Sequence, residues 1–97
     1  MGILLDDIKT ALRISGNDLD GEILDLIEAA KADLILSGVH ESKAEGTDPL
    51  IKRAIIVYCK AHFGYDDPKI TERFEQSYIS LKQHLTLSIE YTGGAEL

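Results

Sequence analysis

Three groups of residues carry side chains that chemistry would need. Cys59 and His62 stand one helical turn apart, and His84 lies on a later segment that could come beside them, so a zinc ion held by thiolate and imidazole is one reading. Structural zinc normally shows two such paired spacings and only one is present. Cys59 acting as a small buried apolar residue, with His62 and His84 near helix ends, accounts better for the pattern. Asn17, Asp18, Asp20 and Gly21 have the oxygen-rich composition of a calcium loop. If Gly21 is the turn glycine, however, the first ligand position falls on Gly16 and the closing bidentate position on Ile27, one residue before Glu28. Acids placed at a helix start to complement its dipole explain these residues instead. Lys52, Arg53 and Lys60 put three cations on one segment, as a DNA-reading helix would. Asp48 precedes them and the chain is acidic, so a solvent-facing stripe is the better reading.

A nucleophile would need Cys59 or a serine beside a histidine and an orienting group, in a pocket with donors for developing charge. The sequence has no glycine-rich elbow, no phosphate-cradling loop and no spaced carboxylates outside helix surfaces. The expectation is a protein that is not an enzyme, with no catalytic residue, no cofactor and no metal.

Composition narrows the class further. Ninety-seven residues suit one domain with a single core. At 44% hydrophobic and 28% charged, the chain falls with globular proteins rather than disordered or fibrous ones. Seventeen acidic residues against ten basic ones give a formal charge of -7, which repels nucleic acid and argues against sequence-specific binding to it. Cys59 is the only cysteine, so no internal disulfide can form. The opening MGILLDDIK lacks a basic region ahead of its short apolar run, and Asp6 stands where a myristoylation motif wants Ser or Thr. The longest apolar run, AIIVYC, is too short to span a bilayer, so no membrane partner is expected.

The elements that would position these residues read as helices. A short one over residues 6–13 carries Ile8, Ala11 and Leu12 on one side and ends at Ser15 and Gly16. A second over 18–37, capped by Asn17 or Asp18 and stopped by Gly38, repeats Ile23, Leu26, Ile27, Ala30 and Leu34 at helical spacing. Leu24, Ile35 and Leu36 widen its apolar surface beyond one stripe, which asks for a second neighbour. GVHESKAEGT, residues 38–47, reads as an exposed loop. Asp48-Pro49 opens a third helix over 48–63, ended by Gly64, whose dense apolar surface marks it as the core helix. Asp67-Pro68 repeats the device for a fourth over 68–86, which should form an antiparallel hairpin with the third. After Leu85 the period changes, and Leu87, Ile89 and Tyr91 alternate with Ser88, Glu90 and Thr92 as in a strand. An all-α core offers no sheet to pair with it, so residues 87–97 are expected to form an extended tail, its partner elsewhere or its apolar side laid across its own helices. The fold class is therefore all-α: a small bundle of three major helices, a short N-terminal helix and an extended C-terminal tail.

In order, the segments LLDDIKTALRIS, EILDLIEAAKADL, DPLIKRAIIVYCKAHFGY and ERFEQSYISLKQHL resemble the small head-tail connector proteins of tailed phages and prophages, also described as DNA-packaging proteins. The resemblance runs from Leu4 to about Leu87. It is most specific at Leu12-Arg13-Ile14, at Asp48-Pro49 with Lys52, Ala54 and Ile55, and at Ser77, Tyr78 and Leu81. It implies a structural subunit that assembles into a ring of about a dozen copies around the DNA channel in the particle, with the isolated chain able to remain monomeric until it meets its portal. Such a ring lies between the portal protein and a tail-completion protein at the head-tail junction of the virion, after assembly in the bacterial cytoplasm.

Two segments are expected to make the contacts. The loop, with Val39, His40, Glu41, Lys43 and Glu45, should meet a neighbouring subunit or tail component. The tail, with Leu87, Ile89 and Tyr91, should dock on the portal, and removing Ile89 to Leu97 should then leave the helical domain folded. The alternatives from other classes are a small helical regulatory module and a DNA-binding packaging factor.

Overall fold

A computed structural model describes residues 2–44, 48–63 and 67–92. Among them the chain forms five helices and no strand: α1 (Gly2–Leu12), α2 (Asp20–Ser37), α3 (Pro49–His62), α4 (Pro68–Leu87) and α5 (Ile89–Thr92). The fold is a small all-α bundle.

α3 is its axis, because α1, α2 and α4 all pack against it. Its start is over-determined. Pro49 gives up only an N–H that would have had no partner, and the Asp48 carboxylate accepts from the backbone N–H groups of Leu50 (2.8 Å) and Ile51 (3.3 Å). Ile51, Ala54, Ile55, Val57, Cys59 and Ala61 are buried along it, which leaves only a narrow strip to solvent. Asp67-Pro68 starts α4 in the same way, with Asp67 accepting from the N–H of Lys69 at 2.9 Å. The pairs Lys60–Phe74 and Tyr58–Tyr78 run in opposite directions along the two helices, so α3 and α4 are antiparallel. Gly64, expected to end α3, lies outside the described residues.

α2 buries Ile23, Ile27, Ala30 and Leu34, one stripe at helical spacing. α1 begins at Gly2 rather than near Asp6, because Leu4 and Leu5 pack on the core one turn ahead of the fully buried Ile8. A helix of this length is marginal by itself in water. Docking stabilises it, through Ile8 and through two ion pairs, Lys52–Asp7 at 2.9 Å to α3 and Lys9–Asp20 at 2.8 Å to α2.

Helix ends depart from expectation in two places. Neither Asn17 nor Asp18 caps α2: Leu19 stands at the N-cap with no side-chain bond, and the Asn17 carbonyl side chain accepts instead from Lys9 Nζ at 3.2 Å. α1 ends with Arg13 rather than with Ser15 and Gly16. Arg13 takes φ +61, its N–H donates to Thr10 O at 3.1 Å, and the N–H of Ile14 donates to Lys9 O at 2.9 Å. These two bonds are the Schellman pattern. α2 ends in the same pattern with a glycine at the left-handed position: Gly38 has φ +121, and Gly38 and Val39 donate to Ile35 O and Leu34 O, each at 3.0 Å.

The strand-like end is the largest difference. α4 continues to Leu87, Ser88 alone is extended, and Ile89–Thr92 forms a helical turn whose Tyr91 joins the core. Alternation over six residues loses to packing here, because Ser88 O can accept from both Tyr91 and Thr92 and so closes the turn without a sheet. The remainder of the expected tail, Gly93 to Leu97, lies outside the described residues.

Arg13 is the one non-glycine residue at positive φ among the described residues, and it carries the usual penalty of the left-handed region. Arg13→Gly should therefore raise stability by about 1 kcal/mol, a shift in Tm of roughly 4–8 °C for a domain of this size. Thermal melting followed by circular dichroism checks it, and an unchanged or lower Tm would count against the strain.

Candidate interaction surfaces

The two segments expected to make separate contacts come together at one end of the bundle. The N–H of His40 donates to Tyr91 O at 2.7 Å, and Lys43 Nζ stands 5.9 Å from the centre of the Tyr91 ring. The Tyr91 hydroxyl reaches both carboxylate oxygens of Asp48, at 2.9 and 3.1 Å. Thus one carboxylate caps α3 and anchors the C-terminal turn. Burial raises the Tyr91 phenol, and its bond to Asp48 raises it further, to about 12. For Asp48, burial acts upward but is outweighed by the bonds from Tyr91, Leu50 and Ile51, so its carboxyl is held below the usual value.

The members of the two expected sites have different fates. Val39 is 2% exposed and belongs to the core, together with Ala44, so this residue of the expected contact loop is not available as a contact. The reason is the Schellman end of α2, which turns Val39 back over the helix it has just left. His40 and Glu41 are exposed, Lys43 is half-buried, and the ring of His40 is held to Ser42 at 2.9 Å. Glu45 lies outside the described residues. In the tail, Tyr91 is only 7% exposed whereas Leu87 is 84% exposed, and the side chain of Ile89 lies outside the described residues. A Cβ on Gly38 would stand 3.9 Å from the Thr86 methyl group, so the ends of α2 and α4 are neighbours. Both carry a prominent exposed leucine there, since Leu36 is 86% exposed. Because Tyr91 is part of the core, removing residues 89–97 would take a core side chain along with any docking surface.

The side chains with chemical potential are otherwise engaged. Cys59 is buried, and burial pushes its thiol up to about 12, which suppresses the thiolate that a nucleophile or metal ligand needs. His62 is exposed and lies against the Tyr58 ring, with centroids 4.3 Å apart. Among the described residues no three His, Cys, Asp or Glu side chains converge on one point. Around Asn17 and Asp20 the cation is the Lys9 ammonium.

The three cations of α3 separate. Lys52 pairs with Asp7, while Arg53 and Lys60 turn to the other side of α3 and line an open groove of about 510 Å³. Val57 lies between them, and Arg73, Ser77 and Ser80 supply the α4 wall. Lys60 Nζ sits 5.3 Å from the Phe74 ring centre. Among the described residues, neither Arg53 nor Arg73 forms an ion pair.

Over residues 4–92, from the first turn of α1 to the end of α5, the chain matches the family model described as phage connector protein. The chain belongs to the phage connector family. No curated protein and no solved structure matches it. The connector match reaches past Leu87 to Thr92, so it includes the turn that carries Tyr91. It supports a structural, connector-related role in a phage particle.

Two features of this connector were not read from the sequence. Asp33 on α2 accepts from the Tyr78 hydroxyl and from Lys82 Nζ at 3.0 Å, a polar cluster joining α2 to α4. Tyr78 and Lys82 at i and i+4 share one side of a helix, which was its only local signal. The basic groove was hidden because Arg73 belongs to another helix than Arg53 and Lys60.

The shared carboxylate is testable by a double-mutant cycle. Asp48→Ala should cost about 2–3 kcal/mol, from a lost cap and a lost charge-assisted bond, and Tyr91→Phe about 1 kcal/mol. The double variant should cost less than their sum by about 1 kcal/mol, measured by urea unfolding. Strict additivity would show that the two groups do not act together.

A raised folded phenol pKa contributes stability that is present below the unfolded value of about 10 and is lost as pH rises from there. Spectrophotometric titration should therefore find a phenol titrating near 12 that is absent from Tyr91→Phe, with stability falling as it ionises. The Asp48 contribution has the opposite sense, being present above the usual carboxylate value of about 3.9 and lost as pH falls through the lower folded value.

Proposed function

We propose that this connector is a non-enzymatic subunit of a homo-oligomeric ring that joins the portal protein to the tail and surrounds the DNA channel. The observation that carries the reading is the family match over residues 4–92. Two physical features support it. Large apolar side chains, Leu24, Ile35 and Leu36 on α2 and Leu87 on α4, remain exposed after the chain has buried its own core, as surfaces awaiting a partner do. The formal charge of -7 suits a channel wall that lets DNA slide without holding it. No helix among the described residues is long and apolar enough to cross a membrane.

In this reading the end of the bundle built from the 39–44 loop, α5 and the last turns of α2 and α4 faces the portal or a tail-completion protein. His40, Glu41 and Lys43 supply its polar part, and Leu36 and Leu87 its apolar part. Tyr91 acts beneath them by holding the turn in place.

Leu36→Glu with Leu87→Glu tests this without disturbing the core, since both side chains are exposed in the subunit. The double variant should keep its Tm to within the effect of about 0.5 kcal/mol usual for surface changes, yet fail to co-purify with the portal. Wild-type chain co-expressed with the portal should give rings in electron micrographs. Unimpaired portal binding by the variant would remove this end from the interface, and a wild-type chain that binds one partner as a monomer or dimer would favour the regulatory-module reading.

A further inference from the structure

We infer that the basic groove between α3 and α4 is the socket for the outer face of α2 from a second copy of this chain. The proposal rests on the ring reading above and deepens it by naming the two surfaces that meet.

The groove holds Arg53, Lys60 and Arg73 within one concavity of a chain whose net charge is negative. Other cations, Lys9, Lys31, Lys52 and Lys82, are neutralised by acids of their own subunit. Arg53 and Arg73 have no such partner among the described residues and are exposed. An unbalanced basic concavity selects an acidic convex surface.

α2 presents one. At about 100° per residue, Asp25, Ala29, Ala32 and Leu36 lie opposite the buried stripe of Ile23, Ile27, Ala30 and Leu34. Glu22 and Glu28 flank them, so the outward side is acidic, and Gly21, Ala29 and Ala32 keep it smooth enough for close approach. A Cβ added at Gly21 would meet nothing within 4 Å. Leu24 and Ile35 on one edge give it the apolar component that a charge-only contact lacks.

The two surfaces cannot satisfy each other within one subunit. Arg53, Val57 and Lys60 lie on the side of α3 opposite Ile55, while α2 covers the Ile55 side, where Asp33 reaches Tyr78 beside Tyr58. Groove and acidic face therefore point to opposite sides of the subunit. A contact of unlike surfaces on opposite sides is heterologous, and repetition makes it a ring when the rotation closes. Nucleic acid is the other anion of the right class, but the groove lies on a chain that is acidic elsewhere, whereas the α2 face adds apolar contacts that a phosphate backbone cannot.

A charge swap tests the assignment, read by amide NMR shifts of the isolated full chain and by native mass spectrometry of the chain co-expressed with its portal. Raising wild-type concentration to about 1 mM should shift amides in the α3–α4 groove and on outer α2 together. Arg53→Glu with Arg73→Glu, or Glu22→Arg with Asp25→Arg, should each weaken self-association about tenfold or more, and mixing the two variants should restore it. Shifts confined to other surfaces, no shifts at all, or a mixture no tighter than either variant alone overturn the assignment. Salt-dependent DNA binding by wild type that disappears in the Arg53→Glu, Arg73→Glu variant gives the groove to a phosphate backbone and also overturns it. If that variant still forms rings on the portal as wild type does, the surfaces are wrong and the ring reading stands. If wild type forms no ring, the ring reading itself fails.

Discussion

The carboxylate of Asp48 ties together parts of this fold that lie far apart in the sequence. It accepts from two N–H groups at the start of α3 and from the hydroxyl of Tyr91, 43 positions later. The helix it starts is the one against which α1, α2 and α4 pack, so the position of that first turn sets the frame for the others. A negative charge at a helix start is favoured by the dipole, and three donors satisfy it, which is why burial does not neutralise it. The C-terminal turn in turn covers the loop through His40 and Lys43. One anion thereby organises a cap made of three segments with little regular structure.

A second polar cluster does for the hairpin side what Asp48 does for the end. Asp33 is offered a hydroxyl by Tyr78 and an ammonium by Lys82, and the Tyr78 ring meets Tyr58 edge-on at 5.1 Å. Burial raises the Asp33 carboxyl, but those two bonds and the Lys82 charge outweigh it, so it stays ionised and keeps α2 and α4 in register. Burial and the same carboxylate raise the Tyr78 phenol, which keeps its proton available to donate. Such clusters fix the relative positions of helices that apolar packing alone would let slide.

Within the phage connector family, this arrangement makes sense of a chain with so little chemistry on it. The cysteine is sealed in the core, the histidines are spread over separate surfaces, and Asp7, Asp20 and Asp33 use cationic partners to hold helices together. What stays exposed is a set of surfaces: two leucines at the end of the bundle, a smooth acidic side on α2 and a basic groove on the far side of α3. For a protein with a structural, connector-related role, such surfaces matter more than a pocket.

The sequence by itself determined the helical class, the two Asp-Pro starts, the core stripe of α2, the central place of α3 and the family resemblance. These depend on contacts within about one turn, where spacing, proline and a capping carboxylate act locally. It misjudged the end, because an apolar residue at every second position in so short a segment is compatible with a strand or with a turn whose alternate side chains reach different neighbours. Only the tertiary structure decided that Tyr91 belongs to the core, that Val39 is hidden while Leu87 is not, and that Arg73 joins Arg53 and Lys60 in one groove. For Tyr91 and for the groove the deciding partner is remote along the chain: Asp48 for the one, α4 for the other. A local pattern records which side chains could be buried or paired, whereas the choice among them is made by helices that meet only when the chain has folded.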